Sequence, residues 1–294
     1  MPKRPDAELV KTSKFHEFKF HVMQGRMESI IFFDLQVDLT NTLAFVEKFN
    51  KDRDEEDVLS LFQIFLAAGV RTLVNRPKLN RFVSGNRLWQ RNQILISFVV
   101  NKEKSGEGEE IVSMIDFDPF ETLETVRKKV TVHLHEARYG ENKTEKDIKF
   151  FGALPRWVIR MLFWFLKWMD AHNHPIYSIT KDMPLWCSAF IAHLGSLGVD
   201  AAYHHLYELG TASFFATIGK IHKAAVVNQE TGDIDVKKVM DIRLSIDDRI
   251  SDGLYIANTA ELLKDLIENP EQLIDPPELT ADELDLLKLK RSKQ

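Results

Sequence analysis

Met240-Asp241-Ile242-Arg243-Leu244-Ser245-Ile246-Asp247 alternates apolar and polar side chains at every step, then runs into Asp248-Arg249-Ile250-Ser251-Asp252-Gly253. A period of two belongs to a strand with one buried face. Gly253 permits a turn that other residues resist, and a helix is expected from Tyr255 to Glu268. The clearest strand of the chain therefore ends on a cluster of charges, from which a helix carries the chain away.

Working outward, Phe33, Leu35, Val37 and Leu39 alternate with polar residues as a second half-buried strand. Helices are expected over 40–50 and about 56–74, the latter with Leu59, Phe62, Leu66, Val70 and Leu73 at helical spacing. Residues 94–100 read as a strand, 102–110 as a hairpin or loop, 120–138 as a helix and 141–149 as a charged connector. Pro155 opens an aromatic helix over 157–169. Strands are expected over 185–194 and over 213–227, the second interrupted at Gly219. Thr280 with Glu283 forms a capping box for a last helix carrying Leu284 and Leu287. Strands dispersed among helices predict one mixed α/β domain over 1–294, with a core of about 26–273 and a C-terminal tail over 275–294.

The 294 residues are 44% hydrophobic and 28% charged with a net charge of -5, which suits a globular core and supplies no basic field for nucleic acid. GxGxxG and GxxxxGK[ST] phosphate loops are absent. Cys187 is the only cysteine, so no intramolecular disulfide or cysteine zinc site can form. Residues 1–5 do not open a signal peptide. The segment Trp157 to Met169 is too short to span a bilayer and carries Arg160 and Lys167. No transmembrane segment and a cytoplasmic location are the expectation.

Asp247-Asp248-Arg249-Ile250-Ser251-Asp252-Gly253 resembles the DHRxxDG signature of the 2-oxoacid dehydrogenase acyltransferase family, which shares its fold with chloramphenicol acetyltransferase. Other segments fit in the family's order: Arg76-Pro77-Lys78-Leu79-Asn80, Arg91-Asn92, Ile191-Ala192-His193-Leu194-Gly195 for the family's ISNLG, and Ile218-Gly219-Lys220. The chain resembles a free-standing catalytic domain without lipoyl or subunit-binding domains. The resemblance implies a chloramphenicol acetyltransferase-like fold, a mixed sheet flanked by helices, in a homotrimer with a channel between subunits. It further implies that CoA or acyl-CoA is a substrate rather than a tightly bound cofactor, that an acyl acceptor enters from the other end, and that no metal is needed. A signature histidine would be the general base, and a Ser or Thr of the ISNLG strand would hydrogen-bond the tetrahedral oxyanion.

Asp248 stands where that histidine is expected. An aspartate titrates near 4 and serves a thiol poorly unless burial raises it; pairing with an arginine is the plainer role. Arg249, Asp252 and Gly253 read as the structural part of the motif, Asp252 accepting hydrogen bonds or pairing with Arg249. His204 and His205 are the alternative bases, with Glu208 to orient one of them. Phe190 and Ala192 occupy the family's hydroxyl positions, so Ser188, Thr211 and Ser213 are the candidate oxyanion donors. His193 stands at the family's Asn, and Cys187 reads as core. His172 and His174, with Asp170 as an oxygen ligand, could approach a metal but read as a solvated loop at a helix end with no third ligand in reach, while His133 and His135 fall on different helix faces. Trp157, Met161, Trp164, Phe165 and Trp168 read as core or trimer packing, or else as an acyl-group lining or an interfacial membrane helix. Three functions follow: a CoA-dependent acyltransferase with an altered base, an inert trimer that binds CoA, an acyl compound or a partner, or a structural trimer whose channel is vestigial.

Overall fold

A computed structural model describes residues 3–101, 110–139, 154–228 and 231–290. Six strands form the main sheet: β2 (Ile30–Asp38), β5 (Ile94–Asn101), β6 (Glu110–Phe117), β7 (Ala189–His193), β8 (Phe214–Val227) and β9 (Ile234–Asp247). Their order is β2-β9-β8-β7-β5-β6, with β7 parallel to both neighbours and the other pairings antiparallel. A smaller sheet, β1-β4-β3, joins β1 (Ala7–Leu9) to the hairpin of β3 (Arg81–Ser84) and β4 (Arg87–Arg91). Gly85 and Asn86 turn that hairpin with φ of 57° and 54°, both positive as a tight two-residue hairpin turn requires.

Helices α2 (Thr40–Asn50), α3 (Leu61–Asn75), α4 (Leu123–Tyr139) and α7 (Gly253–Glu268) cover one face of the main sheet. Alternation sends Ile242, Leu244 and Ile246 of β9, with Ala189 and Ile191 of β7, into the core they share with Leu66, Val70, Leu73 and Leu263. Phe190, Ala192 and Phe215 point to the opposite face, where Cys187, Leu206 and Ala212 cover them. That second face is closed by loops rather than helices, and it carries the histidine pair.

Several elements differ from expectation. The helix α3 starts at Leu61, because Ser60 caps it and Gln63 completes a capping box; Glu55–Asp57 form a separate 3-10 turn. Strand β7 is shorter than 185–194, since residues before Ala189 turn beneath the second face. Strands β3, β4 and β6 and helix α1 (Lys14–Val22) were not legible as elements. Residues 102–109 and 141–149 lie outside the described residues. The interruption expected at Gly219 is a β-bulge: the register against β9 shifts between Ile218 and Ile221. A Cβ on Gly219 would stand 2.5 Å from the Ala201 nitrogen, so only glycine lets the loop that precedes β8 press this close. Lys220 N donates to Val199 O at 3.0 Å, which pins the loop before it crosses the sheet.

Candidate active site

Strand β9 ends in a 3-10 turn, Asp248–Ile250. Asp247, fully buried, accepts three hydrogen bonds from Arg249: the backbone N–H at 3.0 Å, Nε at 2.9 Å and Nη2 at 2.8 Å. The Arg249 guanidinium also donates to the carbonyls of Met23 and Gln24, at 2.9 and 3.1 Å, and its own carbonyl lies 2.8 Å from His16 Nε2. Helix α1 therefore lies across the turn. His16 and Lys19, three residues apart, share one of its faces, and Lys19 Nζ sits 3.0 Å from Asp248 Oδ2.

This corrects two expected pairings. Asp248 meets a lysine rather than an arginine, with both side chains about a quarter exposed. Asp252 neither pairs with Arg249 nor lies buried: 63% of its side chain is exposed, 3.4 Å from Lys78. Its carboxylate accepts from Tyr255 N at 2.9 Å, so it caps helix α7. Gly253 is the first residue of that helix, with open space where a Cβ would stand.

The loop between β7 and β8 lays Tyr203 and His204 on the second sheet face. Tyr203 hydroxyl donates to Asp34 and its ring packs against Phe32 and under Arg243. The half-buried His204 ring stacks on Phe215 with centroids 4.9 Å apart and planes 11° from parallel. Its Nδ1 lies 3.2 Å from Ala202 O and 3.0 Å from Thr217 Oγ1. A carbonyl only accepts, so Nδ1 carries the proton and Nε2 is the basic nitrogen. Ser245 hydroxyl donates to His204 O, tying the loop to β9 three residues before Asp248. At the rise of a strand that is roughly 10 Å. His205 points outward, its Nδ1 3.1 Å from Leu206 O. Glu208 orients neither histidine; it accepts from Met27 N at 3.0 Å.

Residues 188–274 match the model of the 2-oxoacid dehydrogenases acyltransferase (catalytic domain). A probable dihydrolipoamide acetyltransferase from Listeria monocytogenes 4b F2365 superposes with a TM-score of 0.56 at 18% identity, covering 89% of this chain and 94% of that one. The Azotobacter vinelandii dihydrolipoamide acetyltransferase gives 0.54 at 16%, over 90% and 94%. A chloramphenicol acetyltransferase gives 0.52 at 10%, over 89% and 99%. The chain has the chloramphenicol acetyltransferase-like acyltransferase fold. No curated protein matches it.

Within this acyltransferase fold, the three candidate hydroxyls part company. Ser188 Oγ accepts from Leu95 N at 2.9 Å, and its backbone N–H donates to Leu95 O. It ties β7 to β5, and its own hydroxyl donates to Gln93 O at a long 3.4 Å. Thr211 hydroxyl takes the Arg91 guanidinium. Ser213, 1% exposed, keeps a hydroxyl with no partner among the described residues, and its carbonyl accepts from Asp247 N at 3.0 Å. Phe190 and Ala192 are buried in the apolar cover. His193 stacks on Phe62 with rings 3° from parallel, and burial lowers its pKa. Burial likewise pushes the Cys187 thiol up, as befits core.

Asp170 is gripped by Arg4 at 2.7 Å, and His172 Nδ1 bonds Trp168 O at 2.7 Å. Among the described residues no group of three or more His, Cys, Asp or Glu could hold one. The aromatic helix, α5 (Arg156–Ala171), is anchored mainly at Leu166 and Asp170, and its Trp157 and Trp164 are 68% and 62% exposed instead of core. Among the described residues no helix is long and apolar enough to cross a membrane. Lys19, Arg26 and Thr217 had no motif around them to mark them in the sequence.

Proposed function

We propose that this protein transfers acyl groups from a CoA thioester to a thiol or hydroxyl acceptor, with His204 as general base. The orientation of His204 carries this reading: its Nδ1–H is spent on Ala202 O and Thr217, leaving Nε2 to take a proton. Nε2 accepts the acceptor's proton as its sulfur or oxygen attacks the thioester carbonyl. The tetrahedral intermediate collapses with release of CoA thiolate, which regains the proton from the imidazolium. Ser213 is the donor we assign to the oxyanion: among the described residues its hydroxyl neither donates nor accepts a hydrogen bond, whereas those of Ser188 and Thr211 already accept one. Asp248, neutralised by Lys19, holds the signature turn against α1.

A homotrimer belongs to the same reading. It would cover Phe15 and Phe18 of α1, 76% and 63% exposed, and the aromatic face of α5. Light scattering should give three 34.0-kDa chains; a stable monomer would remove the shared channel.

Acetyl-CoA with dihydrolipoamide as probe acceptor tests the chemistry. His204→Asn should lower the rate by about 10²–10⁴-fold, and Asp248→Asn should stay close to wild type. A dead Asp248→Asn beside an active His204→Asn would move the base to Asp248. A second reading, an inert binding trimer, is favoured by α1 lying across the signature turn; absence of turnover in a wild-type protein that binds CoA would establish it.

A further inference from the structure

We propose that the cleft between the β3–β4 turn, the end of α5 and residues 208–210 binds a small monocarboxylate, held by the guanidinium of Arg26 and the indole N–H of Trp186. The site is independent of the acyl-transfer reading. Both residues line a cleft of about 120 Å³, and each is more than nine-tenths buried, Arg26 at 6% and Trp186 at 3% exposure.

Arg26 Nη1 donates to Tyr207 O and Glu208 O at 3.0 and 3.2 Å, and Nη2 to Val83 O at 3.3 Å, while Nε has no partner. These carbonyls satisfy hydrogen bonds without neutralising the charge. Arg4, Arg127 and Arg249 each have a carboxylate in contact. Arg26 has none among the described residues: Asp247, Asp170 and Glu208 act on it only through space, and burial outweighs them to lower its pKa. A buried cation left without a counter-ion is costly. An anion delivered from solution removes that cost.

Trp186 Nε1 also lacks a partner. An indole N–H only donates, so each of these two lining residues holds a buried N–H that calls for an acceptor. A carboxylate offers two oxygens, one for the guanidinium edge and one for the indole. Asp170 and Glu208 on the same walls disfavour a doubly charged phosphate. Asp170 is already compensated by Arg4, and Lys167 at the exposed rim attracts anions of either kind. The volume suits a carboxylate on a short carbon chain and is far too small for CoA.

The test is calorimetric titration of the full chain with acetate, propionate and inorganic phosphate at matched ionic strength. Either carboxylate should bind and raise the melting temperature, and phosphate should bind more weakly. Trp186→Phe keeps an aromatic ring, though a smaller one, and deletes the N–H, so it should weaken carboxylate binding about tenfold or more while the unliganded protein stays folded. Arg26→Gln should abolish binding. A cleft that takes up neither acid holds water only, and the proposal falls; it falls equally if phosphate binds as tightly as the acids or if Trp186→Phe binds them unchanged. None of these outcomes involves acyl-CoA turnover, which is measured separately.

Discussion

Arg249 closes a bidentate ion pair on Asp247, the residue just before the signature position, and both side chains are almost fully buried. The pair links the end of β9 to the carbonyls that finish α1. Removing one partner strands the other charge in the interior. Asp247→Ala is therefore expected to cost about 3–5 kcal/mol, whereas Asp252→Ala, which deletes an exposed helix cap, should cost about 1 kcal/mol. Urea denaturation of the two variants checks the ranking. Equal losses would mean that the turn is held by something other than the Arg249 clamp.

Ser188→Ala separates structure from chemistry. Its hydroxyl accepts the Leu95 N–H, which is buried and would be left unsatisfied. The expected loss is about 1–3 kcal/mol of stability, with acyl transfer per folded molecule unchanged. A rate loss with no change in melting temperature would return Ser188 to the reaction.

Acid should loosen α4. Arg127 hydrogen-bonds Glu124 through two nitrogens at 3.0 and 2.8 Å and also meets Asp57 at 2.7 Å. Its hydrogen bonds hold the Glu124 carboxyl at about 2, below its ordinary 4.5. A depressed carboxylate stabilises the fold above its unfolded value, and that contribution is lost as pH falls through the window from about 4.5 to about 2. Melting temperature against pH should fall less steeply there for Glu124→Gln than for wild type. Parallel curves would show that other carboxylates govern the acid limb.

What the sequence revealed was periodic. The alternation of Met240 to Ile246 and the helical spacing of Leu66, Val70 and Leu73 each follow from burying one face, and both elements are where the pattern places them. Strand β6 lacks a clean alternation because Ile111, Ile115 and Phe117 are buried while Val112 and Met114, between them, are half-buried against the second face. Asp248 was conspicuous because a charge stood where the resemblance expects histidine. Its partner Lys19 comes from a helix 229 residues away in sequence, and no local pattern announces such a contact. Arg26 was hidden for the same reason: its partners come from the β3–β4 hairpin and from Tyr207 and Glu208.

Thr217 offers the sharpest check on His204. It is fully buried on β8, and its hydroxyl meets His204 Nδ1 at 3.0 Å beside the Ala202 carbonyl. Thr217→Val keeps the branched shape and removes the acceptor, leaving the ring held by Ala202 O and by its stack on Phe215. The imidazole then has more freedom to turn away from the attacking group. Losing such orientation is expected to lower kcat by about ten- to a hundredfold, with KM nearly unchanged because no substrate contact is lost. Thr217→Ser should restore most of the rate, since it returns the oxygen without the methyl group. A purely structural role would lower melting temperature and spare kcat of the folded fraction. If Thr217→Val keeps full kcat, either His204 is held without the threonine or it is not the base, and the rate of His204→Asn alone decides between them; if Thr217→Val is slow, a His204→Asn,Thr217→Val double variant shows whether the two act together. Proton transfer by His204 predicts a double variant no slower than His204→Asn alone, whereas additive losses would show that the two residues act apart.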